Sequence, residues 1–295
     1  MKREVYKLFD VILKIIILTY LSDFLQYIGE KRRIIEVLKT EITTLNGRTR
    51  YLDFLCLLDD DTICHVEFQF PYAHTDDMPR FFDYNIVAQI RYDKLTETIV
   101  FNFEEENKGA KESPIGYSKD FHPKSFYLGD IDFEEELEKI HLKLNLGQLE
   151  KIISNDKTNI KLTHEEELHL LQMSLSPKYK NKKKLLKPVV GLLKNEKLFD
   201  EEKINIIKSI IKLEIDNLIP AEEQKEFKGA LKMTNESEKI INQAISEVNK
   251  KYEQMALEKG KKEGREEVAK NLKGMLKPEE ISKATGLSLK TIMLL

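Results

Sequence analysis

Asp53, Glu67 and Gln69 are the residues of this chain whose types and spacing point most directly to chemistry. Asp59-Asp60-Asp61 reads as a tight turn between two strand-like runs. A hairpin centred on Asp60 sets Asp53 opposite Glu67, with Cβ atoms roughly 4.5–5.5 Å apart. Gln69 lies two residues beyond Glu67 and shares its face. Two carboxylates held this way repel each other, and a bound divalent cation removes that cost. Hard oxygen donors suit Mg2+ (or Mn2+), which binds through one or two carboxylates and keeps several waters. Such a site can activate water and polarise a phosphoryl oxygen. The geometry depends on register. A slip of one residue puts the two carboxylates on opposite faces and leaves an ordinary solvated acidic surface.

The elements that must position this face are legible on either side of it. Residues 3–38 read as a helical region, open to a break at Gly29. Residues 41–46, 50–58 and 63–70 read as three strands, the first two joined by Asn46-Gly47. On the hairpin, Leu52, Phe54, Cys56, Leu58, Val66, Phe68 and Phe70 form the opposite, apolar face, which should meet the core. Asp76-Asp77-Met78-Pro79 reads as the start of a helix over 79–94, with Asp as a cap and Pro in the first turn. A fourth strand follows at 96–103, a polar loop at 104–120 and a short strand at 124–128. After about residue 132 the pattern is helical, over 132–145, 147–154, 164–174, 181–196, 200–217 and 220–233. A long charged helix over 235–274 and two short helices around Gly286 complete it. The expected fold class is α+β, divided into 1–130, a helical region 131–234 and a charged helical tail 235–295.

Composition narrows the function classes. With 41% hydrophobic residues, 295 residues can bury a real core, and 34% charged residues suit long exposed helices. A net charge of −3 excludes an overall basic field, so any phosphate-binding surface must be local. Two cysteines, Cys56 and Cys64, face each other on the apolar side of the hairpin. They argue against a disulfide framework, lack partners for a zinc site and suit a reducing compartment. Residues 5–28 are rich in apolar side chains, but Lys7, Asp10, Lys14 and Asp23 interrupt them. No small-residue cleavage site follows. A buried helix in a soluble, cytoplasmic protein is expected rather than a membrane span.

Asp53, then Glu67-Phe68-Gln69 on the next strand, in an α-β-β-β-α-β order, resemble the PD-(D/E)XK nuclease superfamily. More narrowly, the chain resembles the bacterial recombination-promoting nuclease and transposase-like (YhgA-like) group, in which the last motif position is typically Gln, as Gln69 is. Residues 78–84, MPRFFDY, resemble that group's Met-Pro-x-Arg stretch with one residue missing before Arg80. The run KGKKEGREEVAKNLKGMLKPEEISKATGLSLKTI resembles its tails. The resemblance covers about residues 35–103 and 255–295.

The resemblance implies a restriction-endonuclease-like core followed by a mainly helical C-terminal half. It also implies a magnesium-dependent DNA endonuclease associated with recombination or transposable elements. By the same resemblance Asp53, Glu67 and the Phe68 carbonyl would hold the metal, and Gln69 would position the attacking water. Arg80 would bind the scissile phosphate, with Tyr84, four residues later on the same helix face, supporting it. A first-helix carboxylate often completes such sites; Glu36 is the choice, with Glu30 and Glu41 as rivals. Two departures count. Leu52 precedes Asp53 where the superfamily's name has Pro, and neutral Gln69 cannot bring the positive charge of a lysine. The alternatives are a catalytically inactive nuclease-fold DNA-binding protein and a helical protein-interaction module with an incidental acidic hairpin.

Other features carry weaker signals. His164 and His169 in HEEELH are five residues apart, about 500° around a helix, so their rings face apart, unlike the i, i+4 pair of a zinc helix. His65 shares the acidic face beside Glu67, as an assistant or as a structural histidine. The lysine-rich run 178–187 is a candidate phosphate contact or a solvated helix start. Residues 281–292 resemble a helix-turn-helix around Gly286, with a second helix of barely two turns. A packing or oligomerising cap is expected there before DNA reading. The preceding charged helix could pair with a second copy.

Overall fold

The structure, a computed structural model, describes residues 2–43, 49–106, 121–154, 160–227, 231, 239–246, 261, 264–273 and 276–294. They fall into two compact units, Met1–Ser246 and Glu247–Leu295. The boundary drawn at residue 130 lies inside the first unit.

In the first unit the chain runs α1 (Lys2–Tyr27), β1 (Ile34–Val37), β2 (Glu41–Thr43), β3 (Thr49–Tyr51), β4 (Phe54–Leu58), β5 (Ile63–Gln69), α2 (Met78–Tyr92), β6 (Thr96–Asn102) and β7 (Lys124–Tyr127). Five strands form one sheet in the order β1-β4-β5-β6-β7, and β2 and β3 form a separate antiparallel pair. β1, β4 and β5 are antiparallel neighbours, whereas β6 lies parallel to β5, and β7 to β6. A parallel pair needs a crossover, and α2 supplies it between β5 and β6. The fold is α+β with a mixed sheet.

The first strand differs from expectation. Residues 34–37 are an edge strand and not the end of a helix. Gly29 adopts a φ of 95°, which stops the helix at little steric cost. The β-branched Ile34, Ile35 and Val37 then suit extended chain better than helix. The segment expected to open the sheet instead begins the β2–β3 hairpin, whose Asn46-Gly47 turn lies outside the described residues. With that hairpin set aside, the order through β6 is α-β-β-β-α-β. The β4–β5 register is the one expected: Phe54 pairs with Val66, Leu55 with His65 and Cys56 with Cys64.

Both faces of the sheet are covered. On one, α1 stacks Phe9 on Phe103 at 5.6 Å and Phe24 on Phe101 at 5.9 Å. On the other, Tyr84, Val87 and Ala88 of α2 pack with Leu55 and Ile63. The helical portion of the unit includes α3 (Phe133–Ser154), α4 (His164–Gln172), α5 (Lys182–Leu192) and α6 (Ile204–Leu218). α1 also packs against α4 and α6. A helix buried on opposite sides is apolar nearly all round, which explains the membrane-like texture of residues 5–28. Among the described residues no helix is long and apolar enough to cross a membrane.

α1 is kinked at Tyr20, which has non-helical φ and ψ of −122° and 33°. Its hydroxyl donates to Glu167 Oε2 at 2.8 Å, and the Asp200 N–H donates to Glu167 Oε1 at 2.9 Å. Both Tyr20 and Glu167 are buried. Burial raises the Glu167 pKa, and these two bonds counter it. Tyr20→Phe should therefore cost about 1–3 kcal/mol of stability, read by chemical denaturation, because the carboxylate loses a donor that water cannot replace. A cost near zero would show that the bond does not anchor α1.

In the second unit Ala269, Ile281 and Ile292 form a small core with Leu272 and Leu287. Two short helices, Pro278–Thr285 and Leu289–Leu294, flank Gly286, whose φ of 69° caps the first. Most of the charged helix expected over 235–274 lies outside the described residues.

Candidate functional site

Asp53 sits in a bend just before β4, and its side chain turns to the neighbouring strand. Its Oδ2 accepts the Phe68 N–H at 2.9 Å, and Glu67 Oε1 lies 3.4 Å from the Asp53 N–H. The two carboxylates are thus adjacent, each holding the other's stretch of main chain. Asp53 is 6% exposed and Glu67 2%, so neither belongs to a solvated acidic surface. The face they occupy is covered by α2. Glu67 Oε1 also lies 3.1 Å from His65 Nε2.

Gln69 is half-buried at the end of β5. Its Nε2 donates to the Phe68 carbonyl at 2.8 Å, and its Oε1 accepts from Arg80 at 3.1 Å. Arg80 lies in the first turn of α2 and also bonds Asp77 at 3.2 Å. Asp77 does not cap α2 with its side chain; it accepts the His74 N–H instead. Burial works against the Arg80 charge, but the carboxylate of Glu67, with Tyr84, Asp77 and Asp53, raises its pKa above the ordinary arginine value. Tyr84, one turn further along α2, stands edge-on to the His65 ring at 6.1 Å. Burial, then the nearby Glu67 charge, push its phenol up to about 12, so at neutral pH it stays a neutral donor. Asp53, Glu67, Phe68, Gln69, Arg80 and Tyr84 therefore lie in one neighbourhood, between the end of the hairpin and the start of α2.

The first-helix carboxylate is not where it was expected. Glu36 is on the edge strand and exposed, and Glu41 is exposed on β2. Glu30 pairs with Arg32, which also binds Asp60 at the opposite end of the hairpin from Asp53. Glu30 and Glu36 were placed by extending through residue 38 a helix that ends at Tyr27.

Sequence reasoning missed Lys14. This residue of α1 is 8% exposed, and its ammonium donates to the Asp53 carbonyl at 3.0 Å. Its signal was a cation on a helix otherwise apolar nearly all round, where a buried charge needs a partner.

The oxygens this neighbourhood offers a metal are the carboxylates of Asp53 and Glu67 and the Phe68 carbonyl. Among the described residues no three of His, Cys, Asp and Glu come together as a metal-binding group. A set of this kind fits Mg2+ or Mn2+, which keep waters in the remaining positions, better than an all-protein zinc centre. The Phe68 carbonyl already accepts the Gln69 amide, but a carbonyl oxygen has a second lone pair.

The lysine-rich run is largely matched by acids. Lys178 pairs with Asp132, Lys183 with Glu223 and Glu226, Lys184 with Glu134, and Lys187 with Glu226. Lys182 is turned inward to the Ser176 carbonyl at 2.6 Å. His164 and His169 face different partners, Asp23 and Glu136 respectively. Cys56 and Cys64 are neighbouring buried free thiols. The hydrogen bond to Cys56 and burial push the Cys64 thiol well up, away from the reactive thiolate.

A scan against protein-family models and searches of curated proteins and of solved structures find no match to this chain.

Proposed function

We propose that this chain is a magnesium- or manganese-dependent DNA endonuclease of the PD-(D/E)XK type, close to the recombination-promoting, transposase-like group. The observation that carries the reading is the adjacency of Asp53 and Glu67, with Gln69 and Arg80 joined beside them, on an α-β-β-β-α-β framework. A metal bound by Asp53 and Glu67 would supply charge to the phosphoryl oxygens and lower the pKa of a bound water. The chain's own residues do the rest. Phe68 and His65 hold the two carboxylates in place through their N–H groups. Gln69, pinned between Arg80 and the Phe68 carbonyl, orients the water. Arg80 supplies the positive charge that a lysine at position 69 would have brought, and contacts the scissile phosphate. Tyr84 donates from the same helix face. The cytoplasmic setting and the link to mobile elements belong to this proposal and rest on the sequence resemblance.

Purified protein on supercoiled plasmid, with Mg2+ or Mn2+, tests the reading; nicking that depends on the metal supports it. Arg80→Ala should raise KM for DNA and lower kcat/KM by about tenfold to a hundredfold, the range for losing one charge-assisted bond to a phosphate. Unchanged kinetics would remove Arg80 from the site.

One observation favours the inactive DNA-binding alternative: both ends of the Gln69 amide are already bonded, and no lysine occupies its place. Metal-independent DNA binding without cleavage would decide for it.

A further inference from the structure

His65 does more than touch Glu67. Its Nδ1 lies 3.2 Å from Thr98 Oγ1, on the register partner in β6. Asn85 of α2 donates to that same hydroxyl at 3.2 Å and to the Thr96 carbonyl at 2.6 Å. Gln89 donates to Asn85 Oδ1 at 2.6 Å. His65, Thr98 and Asn85 are each 4% exposed or less, so water does not substitute for these bonds.

The chain of bonds has one polarity. The Thr96 carbonyl can only accept, so the Asn85 group facing it is the NH2. The same NH2 donates to Thr98, and among the described residues His65 Nδ1 is the acceptor placed to receive the Thr98 O–H. With Nδ1 accepting, a neutral His65 carries its proton on Nε2, which faces Glu67 Oε1. A donor at that position fixes the orientation of that carboxylate oxygen.

We infer that Thr98 and Asn85 are positioning residues for Glu67. Through the tautomer of His65 they hold one Glu67 carboxylate oxygen in the place a metal ligand needs. The inference rests on the reading of Glu67 as such a ligand. Neither residue touches the metal or the DNA in that reading. Their effect runs as it does behind metal-bound groups elsewhere, where outer partners set orientation and basicity.

Two near-isosteric variants probe the chain differently. Thr98→Val breaks it, and Asn85→Asp replaces the amide donor with an acceptor and reverses it. Thr98→Ser keeps the hydroxyl. The readouts are the His65 tautomer, from ring-nitrogen correlation NMR with His65→Gln for assignment, and Mn2+ affinity by calorimetry. The wild type and Thr98→Ser should show the Nε2–H form. In Thr98→Val and Asn85→Asp the Nδ1–H form should gain population, and Mn2+ should bind about tenfold or more weakly. A purely structural role would lower stability and leave both readouts in place. An Nε2–H form that persists in both variants, or Mn2+ affinity that stays constant while the tautomer moves, overturns the inference. A wild type that takes up no Mn2+ overturns the metal reading beneath it, while the tautomer still reports the chain of bonds.

Discussion

Asp53→Asn and Glu67→Gln should each lower metal-dependent plasmid cleavage by about a thousandfold or more. A metal site contributes several kcal/mol to transition-state charge stabilisation, and each 1.36 kcal/mol is about tenfold in rate. The amides are the informative substitutions because they remove charge and keep shape. An asparagine in place of Asp53 would still offer an oxygen to the Phe68 N–H. A glutamine in place of Glu67 would still accept from the Asp53 N–H and from His65. Alanine at either position would leave buried donors unpaired and confuse lost chemistry with lost stability. The amide variants should melt at or above the wild-type temperature without metal, since two adjacent buried carboxylates no longer repel. In the wild type, Mn2+ should raise the melting temperature by mass action, and in the variants it should not. Wild-type rates in both variants would remove the site. A wild type that binds DNA and Mn2+ but never cuts would turn the reading toward an inactive nuclease fold.

What the sequence made legible follows from local physics. The Asp59-Asp60-Asp61 turn sets the β4–β5 register, and with it the adjacency of Asp53 to Glu67 and of Cys56 to Cys64. Pro79 at the start of α2 placed Arg80 and Tyr84 on a helix that returns to the hairpin end. The misses have physical causes too. Ile34–Val37 follows a long apolar helix, and only Gly29 and the β-branching marked the change to an edge strand. The carboxylate choice of Glu36 failed with it. The hydrogen-bond chain behind His65 depends on β5–β6 pairing across a 15-residue helix, and no short-range pattern encodes it. Likewise Lys14 meets Asp53 only because α1 crosses the sheet.

Glu214→Leu should make the protein more stable by about 1–3 kcal/mol, and the gain should grow as pH rises. Unlike Asp53 and Glu67, this carboxylate on α6 has no hydrogen-bond partner on either oxygen among the described residues, although it is completely buried. The Ser174 hydroxyl lies nearby but out of bonding geometry, and it offsets the burial only in part, as does the positive charge of Lys182. Burial therefore raises the Glu214 pKa well above the usual carboxylate value of 4.5. Lys182 answers in the opposite sense: burial lowers its pKa to about 8, with Glu214 holding it up. For Glu214 the folded state binds a proton that the unfolded state releases between the two pKa values. Its contribution is fully present below the unfolded value and is lost as pH rises through the folded one. The difference between Glu214→Leu and wild type should thus be larger at about pH 8 than at about pH 5. Loss of Glu214 also removes a counter-charge for Lys182, which should lower that lysine's pKa further and take back part of the gain. Glu214→Gln separates the causes: it removes the Glu214 titration but keeps an unpartnered buried polar group, so its stability should fall less than wild type between about pH 5 and about pH 8, without the full gain of the leucine. Denaturant melts of the three proteins at both pH values supply the comparison. A Glu214→Leu protein less stable than wild type at the higher pH would mean that the carboxylate is paired in solution and that this part of the helical core is polar by need.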